Sequence, residues 1–428
     1  GACESTPPTA GTSAEEGCQP PKPLASRERV QVTSSALVRN AAGPVAKIDI
    51  YTTRTLQRID GFGTASVGFE ALERGHFDDI VPAGVSYKTT AEQRRALLET
   101  AVRELGLTQL RVFLWPGIEE TNDNDDPQVL DWARFSWRGK SRRPSSQSIA
   151  ENRDNGIHEW GEFLQHATSL GLEDWILTPV KLPAWMLQAR RNDSNSQRFF
   201  EEYAEWAAAH LLYLKKIFGI EAPYWSMANE PDVILGRPSA DFYRAWIKTT
   251  RARFDREGLQ TKIMFPDAMD VYAAVPIVTE LLKEDSTRRS IGALAYHHYK
   301  SSGDGPRPFL ELSSKRASME FAALRDKITG GARAMAELGR KYGIHSWQTE
   351  TGYYASEMKG LSEWDIGRAR ANEIHLELSS GASAVHGMFM FWSDAVDPRN
   401  GLPSMGMGSH IALTTDGERI IRWTVSKD

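Results

Sequence analysis

Two short stretches of this sequence decide the fold, Ser226-Met227-Ala228-Asn229-Glu230-Pro231 and Trp347-Gln348-Thr349-Glu350-Thr351-Gly352. Each stretch ends a brief apolar run with a glutamate, and each is followed by turn-forming residues and then by a helical pattern. Both glutamates are therefore predicted at the end of a strand. In a parallel α/β barrel the carboxyl ends of all strands form one face, so residues far apart in sequence can meet there.

The pattern around these stretches alternates between short apolar runs and longer amphipathic runs, which is typical of βα units. The predicted strands are 58–64, 108–114, 174–179, 222–227, 262–266, 293–298, 344–349 and 385–392. The predicted helices are 90–105, 157–170, 197–218, 240–257, 275–284, 319–342 and 365–380, six of them closely followed by a glycine. Eight strands predict an α/β fold of the (β/α)₈ TIM-barrel type.

The two chain ends differ from this pattern. Residues 1–45 are rich in proline, serine and threonine, so we expect a flexible leader or tether. Residues 46–57 alternate apolar and polar side chains and predict one strand of a small or abbreviated β side sheet. Residues 58–409 would form the catalytic barrel, and 410–428 a hairpin that joins the side sheet.

Composition limits the partners and the location. The 428 residues carry 51 basic and 56 acidic side chains, a net charge of −5, which gives no electrostatic footprint for nucleic acid. A neutral partner fits better, and no cofactor is predicted. Gly1-Ala2-Cys3 resembles the end of a bacterial lipoprotein signal, and Cys3 could instead pair with Cys18. We therefore expect a secreted or cell-surface protein whose membrane contact is limited to a possible lipid anchor at Cys3.

The paired glutamates indicate sugar chemistry. Hydrolysis of a glycoside with retention uses two carboxyl groups roughly 5–5.5 Å apart, one to attack the anomeric carbon and one to protonate the leaving oxygen. Glu230 and Glu350 fit these two parts. Arg111 lies in an apolar strand, where a guanidinium group must be paired, either in support of a catalytic carboxylate or in a structural ion pair.

A family resemblance then becomes specific. Asn-Glu-Pro at 229–231 after a fourth strand, with Glu350 ending a seventh, resembles the signature of the clan A retaining glycoside hydrolases, which are (β/α)₈ barrels. Ile59-Asp60-Gly61-Phe62-Gly63, Pro183-Ala184-Trp185-Met186 and the segment 226–232 resemble glycoside hydrolase family 30. The resemblance runs from about residue 59 to residue 392.

The resemblance implies roles for individual residues. Glu230 would be the general acid/base and Glu350 the nucleophile, and Asn229 would hold the sugar 2-hydroxyl. Arg111 would keep Glu350 ionised through a charge-assisted hydrogen bond. Tyr299 would donate a hydrogen bond to Glu350.

Aromatic and imidazole side chains near the strand ends complete the predicted site. Trp115, Trp185, Tyr353 and Trp392 could stack on sugar rings, and Trp392, at the end of the eighth predicted strand, matches a clan-typical subsite tryptophan. His297 and His298 must point to opposite sides of their strand, and we expect His298 to face the barrel lumen.

The predicted function is retaining, endo-type cleavage of a β-glucan, β-galactan or xylan. A catalytically inactive carbohydrate-binding barrel is one alternative, although it need not keep both glutamates with Asn229 and Arg111. A metal-dependent barrel hydrolase is another, with Asp267 and Asp270 as further ligands beside the histidines. Residues 122–126 lack the glycine and the terminal glutamate of a calcium loop, so no metal is predicted there.

Overall fold

The structure is a computed structural model of the chain. It describes residues 56–65, 91–114, 119, 121–134, 156–172, 174–192, 196–299, 309–310, 319–352, 360–387, 391–393, 411–415 and 420–425. All of them belong to the unit Leu56–Asp428. The predicted leader 1–45, most of the predicted side-sheet strand 46–57, Trp115 and Tyr353 lie outside the described residues.

Eight parallel strands form a closed barrel in the order of the sequence, which confirms the predicted TIM barrel. The strands are β1 Gly61–Ala65, β2 Gln109–Leu114, β3 Asp174–Pro179, β4 Tyr224–Ser226, β5 Lys262–Ala268, β6 Ile291–His297, β7 His345–Thr351 and β8 Ala384–Gly387. β8 pairs with both β7 and β1, and these pairs close the barrel.

Helices connect the strands and cover the barrel. They are α1 Ala91–Glu99, which continues as a wider turn over Thr100–Glu104, α2 Gly156–Ser169, α3 Ala184–Asn192, α4 Gln197–Phe218, α5 Pro231–Ile234, α6 Ala240–Arg256, α7 Val271–Leu281, α8 Asp285–Ser290, α9 Met319–Tyr342 and α10 Glu363–Ser380. No helix in the described parts of the chain is both long enough and apolar enough to span a bilayer.

Side-chain size separates the two faces of the strands. A small inner core from five strands fills the lumen and consists of Ile176, Met264, Ala293, Ala295, Trp347 and Ala384. The alternate residues, such as Leu294 and Tyr296 on β6, belong to the large core between the barrel and its helices. Side chains alternate along a strand, so residues two positions apart face the same side. This alternation decides which polar residues point into the lumen.

The Ile59–Gly63 motif stabilises the amino-terminal end of the barrel. Asp60 Oδ2 accepts a hydrogen bond from Trp347 Nε1 at 2.8 Å and lies 2.5 Å from His345 Nδ1. Gly63 leaves room for His386, because a Cβ there would lie 2.7 Å from the imidazole ring. The motif therefore ties β1 to β7 and β8, at the end opposite the strand carboxyl termini.

A second sheet contains the predicted C-terminal hairpin. β10 Ile411–Thr415 and β11 Ile420–Val425 are antiparallel, and β10 also pairs in parallel with β9 Phe391–Ser393. This corrects the position of Trp392, which we predicted at the end of the eighth barrel strand. β8 ends at Gly387, and Trp392 lies on β9, whose hydrogen bonds go to the hairpin and not to the barrel.

Candidate active site

Five polar residues meet toward the carboxyl end of the barrel, four of them at or just beyond the ends of their strands and Arg111 in the middle of β2. They are Arg111 from β2, Glu230 after β4, Asp267 from β5, His297 from β6 and Glu350 from β7. Arg111, Asp267 and His297 have no exposed surface, and Glu350 is 3% exposed. The cluster is therefore buried and highly charged, which requires each charge to be paired.

Arg111 is the centre of this cluster. Its Nη1 donates to Glu350 Oε2 at 2.5 Å, and its Nη2 donates to Asp267 Oδ2 at 2.8 Å and to Asn229 Oδ1 at 2.6 Å. The Asn229 amide oxygen is thereby occupied, which leaves the amide NH₂ group to face another partner. One guanidinium group thus fixes two carboxylates and one amide from three different strands or their ends.

Asp267 has no exposed surface, and all its hydrogen bonds are satisfied from inside the barrel. Ser226 Oγ donates to Oδ2 at 2.7 Å, and Thr349 Oγ1 donates to Oδ1 at 2.6 Å. Burial opposes ionisation of this carboxyl, but Arg111 and His297 outweigh burial and hold its pKa well below its usual range. Asp267 is therefore a permanent anion between two cationic groups.

His297 faces the lumen, and this corrects our expectation for His298. His297 is two residues beyond Ala295 and four beyond Ala293, so it faces the lumen as they do. Its Nδ1 lies 3.0 Å from Glu230 Oε1, and its Nε2 lies 3.2 Å from Asp267 Oδ1. His298 points outward and forms an ion pair with Glu377 of α10. The small alanines mark the crowded lumen side of β6, whereas bulky side chains mark the helix side.

The charge on His297 follows from its neighbours. Burial alone would lower the pKa of the imidazole, but Glu350, Asp267 and Glu230 outweigh burial and raise the pKa to about 10. Both ring nitrogens face carboxylate oxygens, so the doubly protonated ring satisfies both contacts. His297 therefore links the Glu230 carboxylate to the buried Asp267.

Glu230 is held in an unusual backbone conformation. Its φ of 48° lies in the left-handed region, and Asp267, with φ 57°, shares this feature. The Glu230 amide donates to the Asp267 carbonyl at 3.0 Å, while the Asn229 amide donates to the Pro179 carbonyl at 2.7 Å. Such conformations cost about 1–3 kcal/mol each and persist where surrounding contacts impose them, which often occurs at functional sites.

Glu230 and Glu350 lie close together across the cleft. A carboxylate oxygen of each, together with a ring nitrogen of His297, lies within 4.8 Å of the others. Tyr299 OH donates to Glu350 Oε1 at 2.9 Å, so both oxygens of Glu350 accept hydrogen bonds. The separation is comparable with the roughly 5–5.5 Å between two carboxyl groups that act on opposite sides of an anomeric carbon, one as nucleophile and one as acid.

The same three side chains could also offer ligands to a metal ion. Their carboxylates, however, already face two cationic groups, the Arg111 guanidinium and the His297 imidazolium. A divalent ion at this place would be repelled by both. The arrangement therefore fits proton transfer and nucleophilic attack better than metal coordination.

The aromatic residues predicted to stack on sugar rings lie in different parts of the chain. Trp185 is half-buried on α3, and its Nε1 donates to the Glu119 carbonyl at 2.8 Å. Trp392 lies on β9, and its side chain, like Trp115 and Tyr353, lies outside the described part of the structure. Their roles as sugar-binding residues stay predictions.

Two central residues were missed by the sequence analysis as members of this site. Asp267 was considered only as a possible metal ligand, and His297 was placed on the wrong side of β6. The alternation of small and bulky residues in 293–296 is a signal that could have found His297. Asp267 lies within a register shift between β5 and β6, between Pro266 and Ala268, which strand alternation does not reveal.

Comparisons with known proteins agree with this geometry at the level of fold. No protein-family model and no curated protein matches the chain. Among solved structures, SrfJ from Salmonella typhimurium is 17% identical, covers 84% of this chain and 71% of its own, and has a TM-score of 0.54. The catalytic domain of GH30 xylanase C from Talaromyces cellulolyticus is 16% identical, with 86% and 73% covered and a TM-score of 0.55.

The endo-β1,6-glucanase BT3312 is likewise 16% identical, covers 86% of this chain and 74% of its own, and has a TM-score of 0.51. At these identities the likeness is one of fold. The chain shares the barrel of solved glycoside hydrolases, including a family 30 xylanase, in agreement with the resemblance of its sequence motifs to that family.

Proposed function

We propose that this chain is a retaining glycoside hydrolase of clan A, most similar to family 30, that cleaves a β-linked glycan. The proposal rests mainly on one observation. Carboxylate oxygens of Glu230 and Glu350 lie within 4.8 Å of each other, at the ends of β4 and β7, with Arg111 bound to Glu350. Retaining glycosidases use a shorter carboxyl separation than inverting ones, which need about 6.5–9.5 Å to fit a water molecule.

In the first step Glu350 is the nucleophile. A Glu350 oxygen attacks the anomeric carbon, the glycosidic C–O bond breaks, and its electron pair stays on the leaving oxygen, which takes a proton from Glu230. Arg111 and Tyr299 support the ionised form of Glu350 before attack. The product of this step is a glycosyl ester of Glu350 and a shortened glycan.

In the second step Glu230 acts as a base. It takes a proton from water while the water oxygen attacks the anomeric carbon, and the bond to Glu350 breaks. Two inversions give net retention. Asn229, whose amide oxygen is fixed by Arg111, can offer its NH₂ group to the sugar 2-hydroxyl. That hydrogen bond strengthens as positive charge develops on the ring, so it stabilises the transition state.

For the substrate we propose a neutral β-glucan, β-galactan or xylan, cleaved within the chain. Similar solved barrels include a xylanase and an endo-β1,6-glucanase, and these names describe those proteins only. The net charge of −5 favours a neutral glycan over a polyanion. We also propose secretion or surface display, based on the possible lipidation site at Cys3, which labelling of cells with a fatty-acid probe would test.

Reducing-sugar release from a panel of β-glucans, β-galactans and xylans tests the function directly. We expect the wild type and the exposed control Glu337→Gln to release sugar from one member, and Glu350→Gln to release none. Release by Glu350→Gln would disprove its role as nucleophile. Binding of a glycan by the wild type without release would support the inactive, carbohydrate-binding alternative.

The roles of the two glutamates can be separated with aryl glycosides. A good leaving group needs little protonation, so Glu230→Ala should still form the glycosyl-enzyme from an activated substrate, whereas Glu350→Ala should not. A 2-fluorosugar inactivator followed by peptide mass spectrometry should label Glu350. Labelling of another carboxylate would show that the assignment is wrong.

A further inference from the structure

A second cluster of buried carboxylates lies away from the proposed catalytic pair. It joins the segment after β2 to helix α4 and contains Glu119, Asp123, Glu202 and Glu205. These four side chains are 0%, 2%, 1% and 0% exposed, respectively. Carboxylates are rarely buried unless a cation or several donors compensate them, so the cluster requires an explanation.

The two carboxylates before α4 are each held by one backbone amide. Asp123 N donates to Glu119 Oε1 at 3.2 Å, and Asp131 N donates to Asp123 Oδ2 at 2.8 Å. Within the described residues, the second oxygen of each, Glu119 Oε2 and Asp123 Oδ1, is buried and has no hydrogen-bond partner. Each side chain is thus oriented through one oxygen, while its second oxygen is buried without a donor among the described residues.

Glu205 provides an independent observation from a different element. It has no exposed surface, and neither of its carboxylate oxygens accepts a hydrogen bond from an N–H or hydroxyl donor of the described residues, while the Glu202 carboxyl lies beside it. The buried Oδ1 atom of Asn122 is also without a partner there. One oxygen each of Glu119, Asp123 and Glu205 lie within 4.8 Å of one another, so Glu205 is aimed at the same place.

Local cations do not balance these charges. The four carboxylates face two guanidinium groups, Arg198 in an ion pair with Glu202 and Arg253 near Glu205. When all four are ionised, two negative charges are left without a cation from the described residues. Arg253 also pairs with Glu257 at 2.8 Å, which uses part of its charge.

We propose that Glu119, Asp123 and Glu205 bind a Ca²⁺ ion. Two oxygens bound to one Ca²⁺ at about 2.4 Å each lie at most about 4.8 Å apart, which matches the observed cluster. The unpartnered atoms are all oxygens, the ligand type of a hard cation, and two excess negative charges match a divalent one. Ca²⁺ usually has about six to eight oxygen ligands, and Asn122 Oδ1, Glu202 and water can supply the remaining ones.

This ion would connect two parts of the barrel. Glu119 and Asp123 follow β2, and Glu205 is in the middle of α4. The Glu119 carbonyl accepts the hydrogen bond of Trp185 Nε1, so an ion on the Glu119 side chain also positions Trp185. The site differs from a calcium loop because one ligand comes from a distant helix, so residues 122–126 alone do not contain its pattern.

Isothermal titration calorimetry and thermal unfolding of the full chain, after removal of divalent ions with EDTA, test the proposal. We expect one Ca²⁺ per chain, and a midpoint of unfolding that rises by about 3 °C or more at free Ca²⁺ 100-fold above its Kd. Glu205→Gln and Asp123→Asn should abolish the binding heat and the shift. The exposed control Glu162→Gln should keep both.

Glu205→Gln also distinguishes a loss of Ca²⁺ binding from a folding defect. It removes a buried carboxyl without a donor, so in EDTA it should unfold at a higher temperature than the wild type, with an unchanged circular dichroism spectrum. Absence of binding heat and of a shift in the wild type would overturn the proposal, in favour of carboxyl groups that share protons. A full shift in Glu205→Gln, or a shift with Mg²⁺ only, would also overturn it. Neither readout uses activity, so the test is independent of the glycosidase proposal.

Discussion

The carboxylates at the carboxyl end of the barrel and those beside α4 are both largely buried, but they differ in how their charge is compensated. At the carboxyl end of the barrel, Asp267 and Glu350 face Arg111 and His297, and each carboxylate accepts hydrogen bonds within 3.0 Å. Beside α4, Glu119 and Glu205 keep buried oxygens without partners among the described residues. In the first region two cations face two fully buried carboxylates, whereas in the second region two guanidinium groups, Arg198 and Arg253, face four carboxylates.

This difference shows that burial of acids alone does not identify their function. In the first cluster Arg111 and His297 compensate the buried Asp267 and Glu350, so these carboxylates are held in fixed positions for chemistry. In the second cluster the imbalance favours an ion from solution. Breaking the compensation in one region and restoring it in the other should therefore have opposite effects on stability.

The largest effect is expected from removing the cation of the catalytic cluster. Arg111→Met leaves Asp267 and Glu350 buried without their guanidinium partner, and this should lower the free energy of unfolding by about 3–5 kcal/mol. Glycoside hydrolysis should fall on the order of 10³-fold or more, since Glu350 loses the hydrogen bond that supports its ionised form. Urea unfolding and initial rates measure the two effects.

The control for this variant is Arg289→Met. The Arg289 side chain is 72% exposed in its ion pair with Asp285, so its loss should change stability by less than about 0.5 kcal/mol. Equal stability of Arg111→Met and the wild type would contradict the charge-balanced cluster.

Acid-to-amide substitutions sharpen the comparison, because the sign of their effect on the free energy of unfolding should differ between the two regions. Asp267→Asn removes the anion between Arg111 and His297 and should destabilise the fold by about 2–4 kcal/mol. Glu205→Gln in EDTA should stabilise it by about 1–3 kcal/mol, since a buried charge without a donor disappears. Urea unfolding in EDTA measures both, and destabilisation by Glu205→Gln in EDTA would remove the distinction between the clusters.

The pKa values of two lumen histidines, His297 and His386, should be shifted in opposite directions. The carboxylates around His297 raise its pKa from 6.5 to about 10, whereas burial and Arg111 lower the pKa of His386 to about 3. The stability from His297 is fully present below pH 6.5 and is lost as the pH rises toward 10. The stability from neutral His386 is present above pH 6.5 and is lost as the pH falls toward 3.

NMR of the histidine rings should therefore show His297 protonated and His386 neutral between about pH 5 and 8. In urea unfolding at a series of pH values, His297→Gln should flatten the alkaline decline and leave the acid limb unchanged. A neutral His297 at pH 7 would contradict the charge assignment in the catalytic cluster.

The smallest effect is expected from Tyr299→Phe. This variant removes one neutral hydrogen bond to Glu350, while Arg111 remains, so the rate should fall about tenfold, or about 1.4 kcal/mol. Tyr342→Phe, on α9 with its ring beside Arg288, is the matched control and should have wild-type kinetics. An equal loss in both variants would show that the contact with Glu350 is not responsible.

Much of the barrel could be predicted from periodicity. The bounds of β3, α4 and α9 agree with the predicted 174–179, 197–218 and 319–342, because these elements have strong local patterns and clear ends. The predicted helix 275–284 is shifted to Val271–Leu281, where Asp270 caps the first turn. The eighth strand was predicted too long because an apolar run does not show which sheet its residues join.

The sequence alone determined the order of the βα units, the strand ends and therefore the two glutamates at one face, since alternating patterns and terminal glycines are local features. Only the tertiary structure decided that His297 faces the lumen, that Asp267 joins Arg111, and that Glu205 of α4 lies beside Glu119. These contacts depend on register shifts and on the packing of distant elements, and neither is written in the local spacing of residues.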